Sequence, residues 1–271
     1  MHADPTRAVA QRLAAARGIA ALSGAALAAL YAVTPSFVEL PYAPELGPSV
    51  AADLVRIDEE RRERTRKVFD DAMKGPGPLA TWSQSNDLPT IGAFAQQALY
   101  ADLLVLGQDD RTDDAAATVP PDFVASVLSA SGRPAVIVPH IGAGTSIGET
   151  IAIAWKPTPE AARAVSSAMP LLQRASAVHV LTWGDAGVPD IAGPLLDLDA
   201  YLGRHGVQAT WHHGGLEPEA VGELLLSRAF DIGADLLVMG CYGHGRAREW
   251  ILGGASRTVL ASMTLPVLMA H

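Results

Sequence analysis

Residues 234–271 read ADLLVMGCYGHGRAREWILGGASRTVLASMTLPVLMAH. Leu236–Met239 is a short continuous apolar run, the pattern of a strand buried on both faces. Gly240 stands at its end, and Gly243, Gly245, Gly253 and Gly254 follow. Apolar residues at helical spacing run from Ala255 to about Met263, and Pro266 opens a last apolar run, Val267–Ala270. Strand, glycine loop, helix and strand make a βαβ unit. A main chain without side chains can approach an anion closely, and the first turn of a helix presents N–H groups and a positive dipole end. Gly240 and Gly243 would form one wall of a phosphate cradle, with Gly253, Gly254, Ala255 and Ser256 as the helix start. The same residues also suit a tight strand-to-helix connection that binds nothing, and both readings stay open.

Working outward, the chain repeats itself. Ala101–Gly107 (ADLLVLG) matches Ala234–Gly240 (ADLLVMG). Ala80-Thr81-Trp82 matches Ala209-Thr210-Trp211, and Pro5-Thr6 matches Pro157-Thr158. Val127-Leu128, Pro134 and His140 match Val259-Leu260, Pro266 and His271. Four matches in one order predict two copies of an α/β unit, 1–140 and 148–271, joined by a short glycine-rich linker. In the second copy strands are expected at Glu149–Trp155, Ala177–Trp183, Val207–Trp211, Ala234–Gly240 and Val267–Ala270. Helices are expected at Pro159–Leu172, Ile191–Gly203, Glu217–Phe230 and Ala255–Met263. Strands alternating with helices predict a parallel sheet covered on both faces. Asp4-Pro5-Thr6 aligns with Lys156-Pro157-Thr158, so the strand before Lys156 has no counterpart at the start. The first copy is therefore expected to lack its N-terminal strand, and the chain to begin late, at an internal methionine.

Composition bounds the partners. With 49% hydrophobic and 18% charged residues the chain is globular in type. A net charge of −9 argues against general nucleic-acid binding, which rests on Lys and Arg contacts to phosphate. The single cysteine, Cys241, excludes an intrachain disulfide and fits a reducing compartment. Ile19–Val33 could be the apolar core of a signal peptide but is too short to span a membrane. The repeat accounts for it as helix plus strand.

The spacing Gly240-x2-Gly243-x9-Gly253 resembles the nucleotide-binding signature of the universal stress protein family, G-x2-G-x9-G-(S/T). That resemblance implies two tandem Rossmann-like sheets, similar to adenine nucleotide alpha-hydrolases, with strand order 3-2-1-4-5. It implies a cytoplasmic stress-response protein that binds ATP, with Mg2+ or Mn2+, and assembles as a dimer. It also implies a base pocket near Ala154, Trp155, Trp183 and Met239. Two residues depart from the pattern. Gly254 stands where the family has Ser or Thr, leaving the next hydroxyl at Ser256. Lys156 stands where the family commonly has Asp at the end of strand one; an ammonium donates where a carboxylate accepts.

The other candidates are weaker. Lys156 could reach toward phosphate or sit in solvent. Arg246 and Arg248 could clamp phosphate or pair with Glu249. After Gly107 the first copy carries Asp109, Asp110, Asp113 and Asp114, whose charges would repel a triphosphate, so no nucleotide is expected there and the loop is read as exposed. Adjacent His212 and His213 point to opposite sides of an extended chain, so they do not chelate together. No catalytic triad or carboxylate pair stands out; His244 is the only candidate to position a water. The function expected is nucleotide-dependent regulation through an unknown protein partner. A module that has lost its nucleotide, or a slow ATPase, remains the alternative.

Overall fold

A computed structural model of the protein describes residues 1–39, 47–141, 146–184, 196–215, 220–241 and 254–271. The chain divides into two compact units: Met1–Arg133 with His140–Gly142, and Pro134–Pro139 with Ala143–His271. Both units are α/β, with sheets dominated by parallel pairing.

The first unit begins with β1 (His2–Ala3), α1 (Val9–Ser23), β2 (Leu27–Ala32), α2 (Ser36–Glu39) and α3 (Pro48–Met73). It continues with β3 (Ala80–Ser85), α4 (Thr90–Ala98), β4 (Leu104–Gly107), a 3-10 turn at Asp114–Thr118, and α5 (Phe123–Ser131). β1, β2 and β3 form a parallel sheet. The segment Ile19–Val33 is the end of one helix and a strand. Gly24, left-handed at φ 61°, stops α1 by donating its N–H to Ala20 O. The 26-residue α3 buries only Thr65 and Phe69. Its exposed face carries the pairs Arg56–Glu60 and Arg66–Asp70, which contribute little each.

Contrary to the sequence expectation, the first unit has an opening strand: His2 and Ala3 pair in parallel with Leu30 and Tyr31. Two residues are enough because both are buried and because Met1 O accepts the N–H of Leu30. A strand this short carries no readable period, so sequence pattern could not reveal it.

The second unit contains β5 (Ala135–Val138), β6 (Thr150–Ala154), α6 (Pro159–Leu172), β7 (Ala177–Thr182) and α7 (Leu198–Arg204). Then follow β8 (Thr210–His213), α8 (Val221–Asp231), β9 (Leu236–Gly240), α9 (Gly254–Ser262) and β10 (Val267–Ala270). Its strands lie in the order β5-β10-β9-β6-β7-β8. All these pairs are parallel except β5 with β10, where Val136 stands opposite Leu268 in antiparallel register. Ile151, Ile153, Leu236, Leu237, Val238 and Val267 have no exposed surface, as central strands covered on both faces require. Three ties fix the elements around this core. Asp235 accepts the N–H groups of Gly148, Glu149 and Thr150 and so sets the start of β6. Thr158 caps α6 by accepting from Ala161 N, with Pro159 in the first turn. Asp197 caps α7 by accepting from Ala200 N, and residues 191–195 of the helix expected there lie outside the described residues. Among the described residues no helix is long and apolar enough to cross a membrane.

Candidate functional site

The second unit's chain runs from β6 outward to β7 and β8, then returns to the other side of β6 as β9. β6 and β9 are neighbours, with Ala154 opposite Met239. The direction of winding reverses between these two strands. In open α/β sheets the crevice outside the carboxyl ends at such a reversal is where ligands bind, because the loops diverge there.

Ala154, Trp155, Lys156, Trp183, Met239 and Gly240 lie at the carboxyl ends of β6, β7 and β9. Ala154 closes β6, and Trp155 and Lys156 follow it; Trp155 is half-buried and Lys156 is exposed. Trp155 donates its N–H to Leu181 O, which holds the strand ends of β6 and β7 together. Trp183 lies just past β7, half-buried, with its ring over the bare main chain of Gly214. Met239 is buried at the end of β9, and Gly240 follows. A Cβ on Gly240 would lie 2.5 Å from Ala161 N and 2.6 Å from Glu160 C, so the glycine admits the first turn of α6. The N–H groups of that turn thus lie near the end of β9. α9 opens at Gly254, which is exposed; Ala255 is half-buried and Ser256 is buried. Among the described residues nothing lies within 4 Å of where a Cβ on Gly254 would stand. Gly222 lets α8 press against this helix: its Cβ would lie 2.7 Å from Thr258 Cβ and 2.9 Å from Ala255 O. Gly243, Gly253, His244, Arg246, Arg248 and Glu249 lie outside the described residues. Cys241 is buried, and burial, then the Glu160 carboxylate, pushes its thiol up to about 12, which disfavours the thiolate.

The corresponding end of the first unit is filled by its own side chains. Arg12, 2% exposed, reaches from α1 to the end of β1. Its Nη1 donates to Asp4 Oδ2 at 2.5 Å and to His2 O at 3.0 Å, and its Nη2 donates to Thr6 Oγ1 at 3.2 Å. The guanidinium lies over Gly107, where a Cβ would come within 2.6 Å of Arg12 Cζ. What remains beside it is a cavity of about 30 Å3, room for a water molecule. Arg12 Nε is buried without a partner in the protein. Burial alone would raise the Asp4 carboxyl, but the charges of Arg12 and His2, with hydrogen bonds from Arg12 and Thr6, hold it at about 2. Burial dominates at His2 and lowers its imidazole to about 4, against the opposing pull of Asp4. Asp4 aligns with Lys156 in sequence, and the carboxylate that stands there is tied to an internal arginine.

The acidic loop after Gly107 is also more ordered than its charge suggests. Arg7 donates to Asp110 and Thr112 through its side chain and to Asp113 through its backbone N–H. Asp113 caps the 3-10 turn at Ala115 N. The hydrogen bond from Thr112 comes first among the causes that lower the Asp110 carboxyl to about 2. The reading of this loop as exposed is corrected for Asp110, which is buried. His212 faces His179 across β7 and β8, a pair that sequence could not show because strand register creates it. No group of three or more His, Cys, Asp or Glu among the described residues is placed to hold a metal.

No protein-family profile matches the chain, and no curated protein matches it. Solved structures do. A universal stress protein from Archaeoglobus fulgidus DSM 4304 superposes with a TM-score of 0.66 at 15% identity, over 96% of this chain and 90% of that one. A functionally unknown protein from Pseudomonas aeruginosa PAO1 superposes with a TM-score of 0.52 at 15% identity, over 95% and 86%. A chain from Pseudomonas aeruginosa UCBPP-PA14, assigned to the universal stress proteins, gives 0.52 at 15% identity, over 95% and 87%. Across nearly its whole length, this chain has the fold of the universal stress proteins.

Proposed function

We propose that the chain is a tandem universal stress protein whose second copy, 148–271, binds an adenine nucleotide. The second copy would follow the sheet order 3-2-1-4-5. Binding would take place at the carboxyl ends of β6 and β9, with Ala154, Trp155, Trp183 and Met239 near the base. Gly240, Gly243, Gly253, Gly254, Ala255 and Ser256 would offer main-chain N–H groups to the phosphates. Lys156 would supply the positive charge that Mg2+ or Mn2+ otherwise contributes. The observation that supports this reading is the pairing of β6 with β9, with Ala154 opposite Met239 beside the reversal of the sheet.

Such a protein acts as a regulator rather than an efficient enzyme. Nucleotide would bias the glycine loop after Cys241 and so alter a surface offered to a protein partner. Assembly as a homodimer and a cytoplasmic setting complete the proposal. The first copy takes no part in nucleotide binding, since Arg12 occupies the space over Gly107.

A second reading rests on Lys156 and Gly254: without the carboxylate and the hydroxyl, the fold would serve as an interaction module alone. Titration with ATP, with and without Mg2+, separates the two. Saturable binding in the parent chain, lost in Gly243→Val, supports the nucleotide site. Absence of binding in both supports the interaction module. A slow ATPase would show phosphate release that disappears in His244→Ala.

A further inference from the structure

His179 on β7 and His212 on β8 meet nitrogen to nitrogen. His179 Nδ1 lies 2.9 Å from His212 Nε2, and the ring centroids are 5.1 Å apart at an interplanar angle of 42°. The parallel register sets His179 opposite Thr210 and Leu181 opposite His212. The two histidines therefore rise from the same face of the sheet as diagonal neighbours. Both are half-buried, and β7 is held on both sides by β6 and β8. Val178, Val180 and Leu181 are buried around them, so the backbone that spaces the rings is fixed. Nothing in the nucleotide site uses either ring.

We propose that His179 and His212 form a two-nitrogen chelate for a divalent transition metal ion of the class that imidazole prefers, such as Zn2+ or Ni2+. Nitrogen ligands stand about 2.0–2.1 Å from such an ion. Two of them at a right angle are then about 2.9 Å apart, by the square-planar or octahedral geometry of Ni2+. That is the separation found between the facing nitrogens. A tetrahedral ion needs a few tenths of an ångström more, which rotation of half-buried rings supplies.

In the metal-free pair of neutral rings one facing nitrogen donates to the other. On metal binding the donating ring moves that proton to its outer nitrogen, and both facing lone pairs bind the ion. No proton is released. Among the described residues no third His, Cys, Asp or Glu joins the pair.

The test uses tag-free full-length protein and the metal alone, without nucleotide, at pH 8. Calorimetric titration with Zn2+ and with Ni2+ is expected to show one ion per chain. Either His179→Gln or His212→Gln is expected to weaken binding about tenfold or more, about 1.4 kcal/mol. His213→Gln, whose ring stacks on Trp211 instead, is expected to bind as the parent does. Imidazole NMR of the parent chain gives a readout free of folding artefacts: substoichiometric Ni2+ should broaden the His179 and His212 signals first. Absence of saturable binding, undiminished binding in both variants, or first broadening at other histidines would overturn the site.

Discussion

Gly240 and Ala161 approach so closely that a methyl group on the glycine would stand 2.5 Å from the backbone nitrogen of the alanine. The contact is with backbone, which cannot swing aside as a side chain can. Gly240→Ala should therefore push α6 away from the end of β9. The expected loss is about 1–3 kcal/mol, the usual penalty for overpacking a well-fitted interior. Urea denaturation of the two proteins measures it. An unchanged midpoint would show that α6 does not press on this glycine.

Gly254 predicts the opposite result. No described residue lies within 4 Å of where its Cβ would stand, and a hydroxyl there would stand in the first turn of α9 beside the proposed phosphates. Gly254→Ser should tighten ATP binding by the worth of one hydrogen bond to a charged group, about 1.5–3 kcal/mol. Stability without nucleotide should scarcely change. ATP titration of the variant against the parent decides it, and equal affinity would remove α9 from the site.

Gly222 acts one layer behind. A Cβ there would meet Thr258 Cβ at 2.7 Å and Ala255 O at 2.9 Å, so Gly222→Val should displace the start of α9. The account predicts weaker ATP binding together with faster hydrogen exchange in α8 and α9. Exchange confined to α8, with ATP binding intact, would show that α9 keeps its place.

Acid should loosen the first unit in two stages. His2 is lowered from 6.5 to about 4 by burial. Between those values the unfolded chain binds a proton that the folded chain does not, so stability falls as pH falls from 6.5 toward 4. The size is on the order of 3 kcal/mol. Asp4, lowered from 3.8 to about 2, adds a second loss as pH falls from 3.8 toward 2. Hydrogen exchange of β2 as a function of pH reads both. Arg12→Ala, which strands the Asp4 carboxylate in the interior, should cost about 3–5 kcal/mol at neutral pH. A flat profile, or a tolerated Arg12→Ala, would contradict the buried ion pair.

Much of the architecture was legible because central parallel strands must be apolar on both faces. Leu236–Met239 and Val267–Ala270 announce themselves in this way, and Thr158 with Pro159 marks the start of α6. His2–Ala3 was not legible, because two residues hold no period. Arg12 sits in an alanine-rich helix and looks like a surface cation; only the fold shows it buried against Asp4 and Gly107. The glycine spacing marked where the main chain must be bare. It could not show that Gly240 is bare for the sake of α6, since the neighbour comes from a helix some eighty residues earlier. His179 and His212 are 33 residues apart, and only register brings them together.

The central claim is that the reversal between β6 and β9 holds an adenine nucleotide. Native mass spectrometry of the purified chain, before and after addition of ATP with Mg2+, tests it most directly. The account predicts a mass increment of one nucleotide per chain that Gly243→Val abolishes. No increment at millimolar ATP, or one that survives Gly243→Val unchanged, would contradict it.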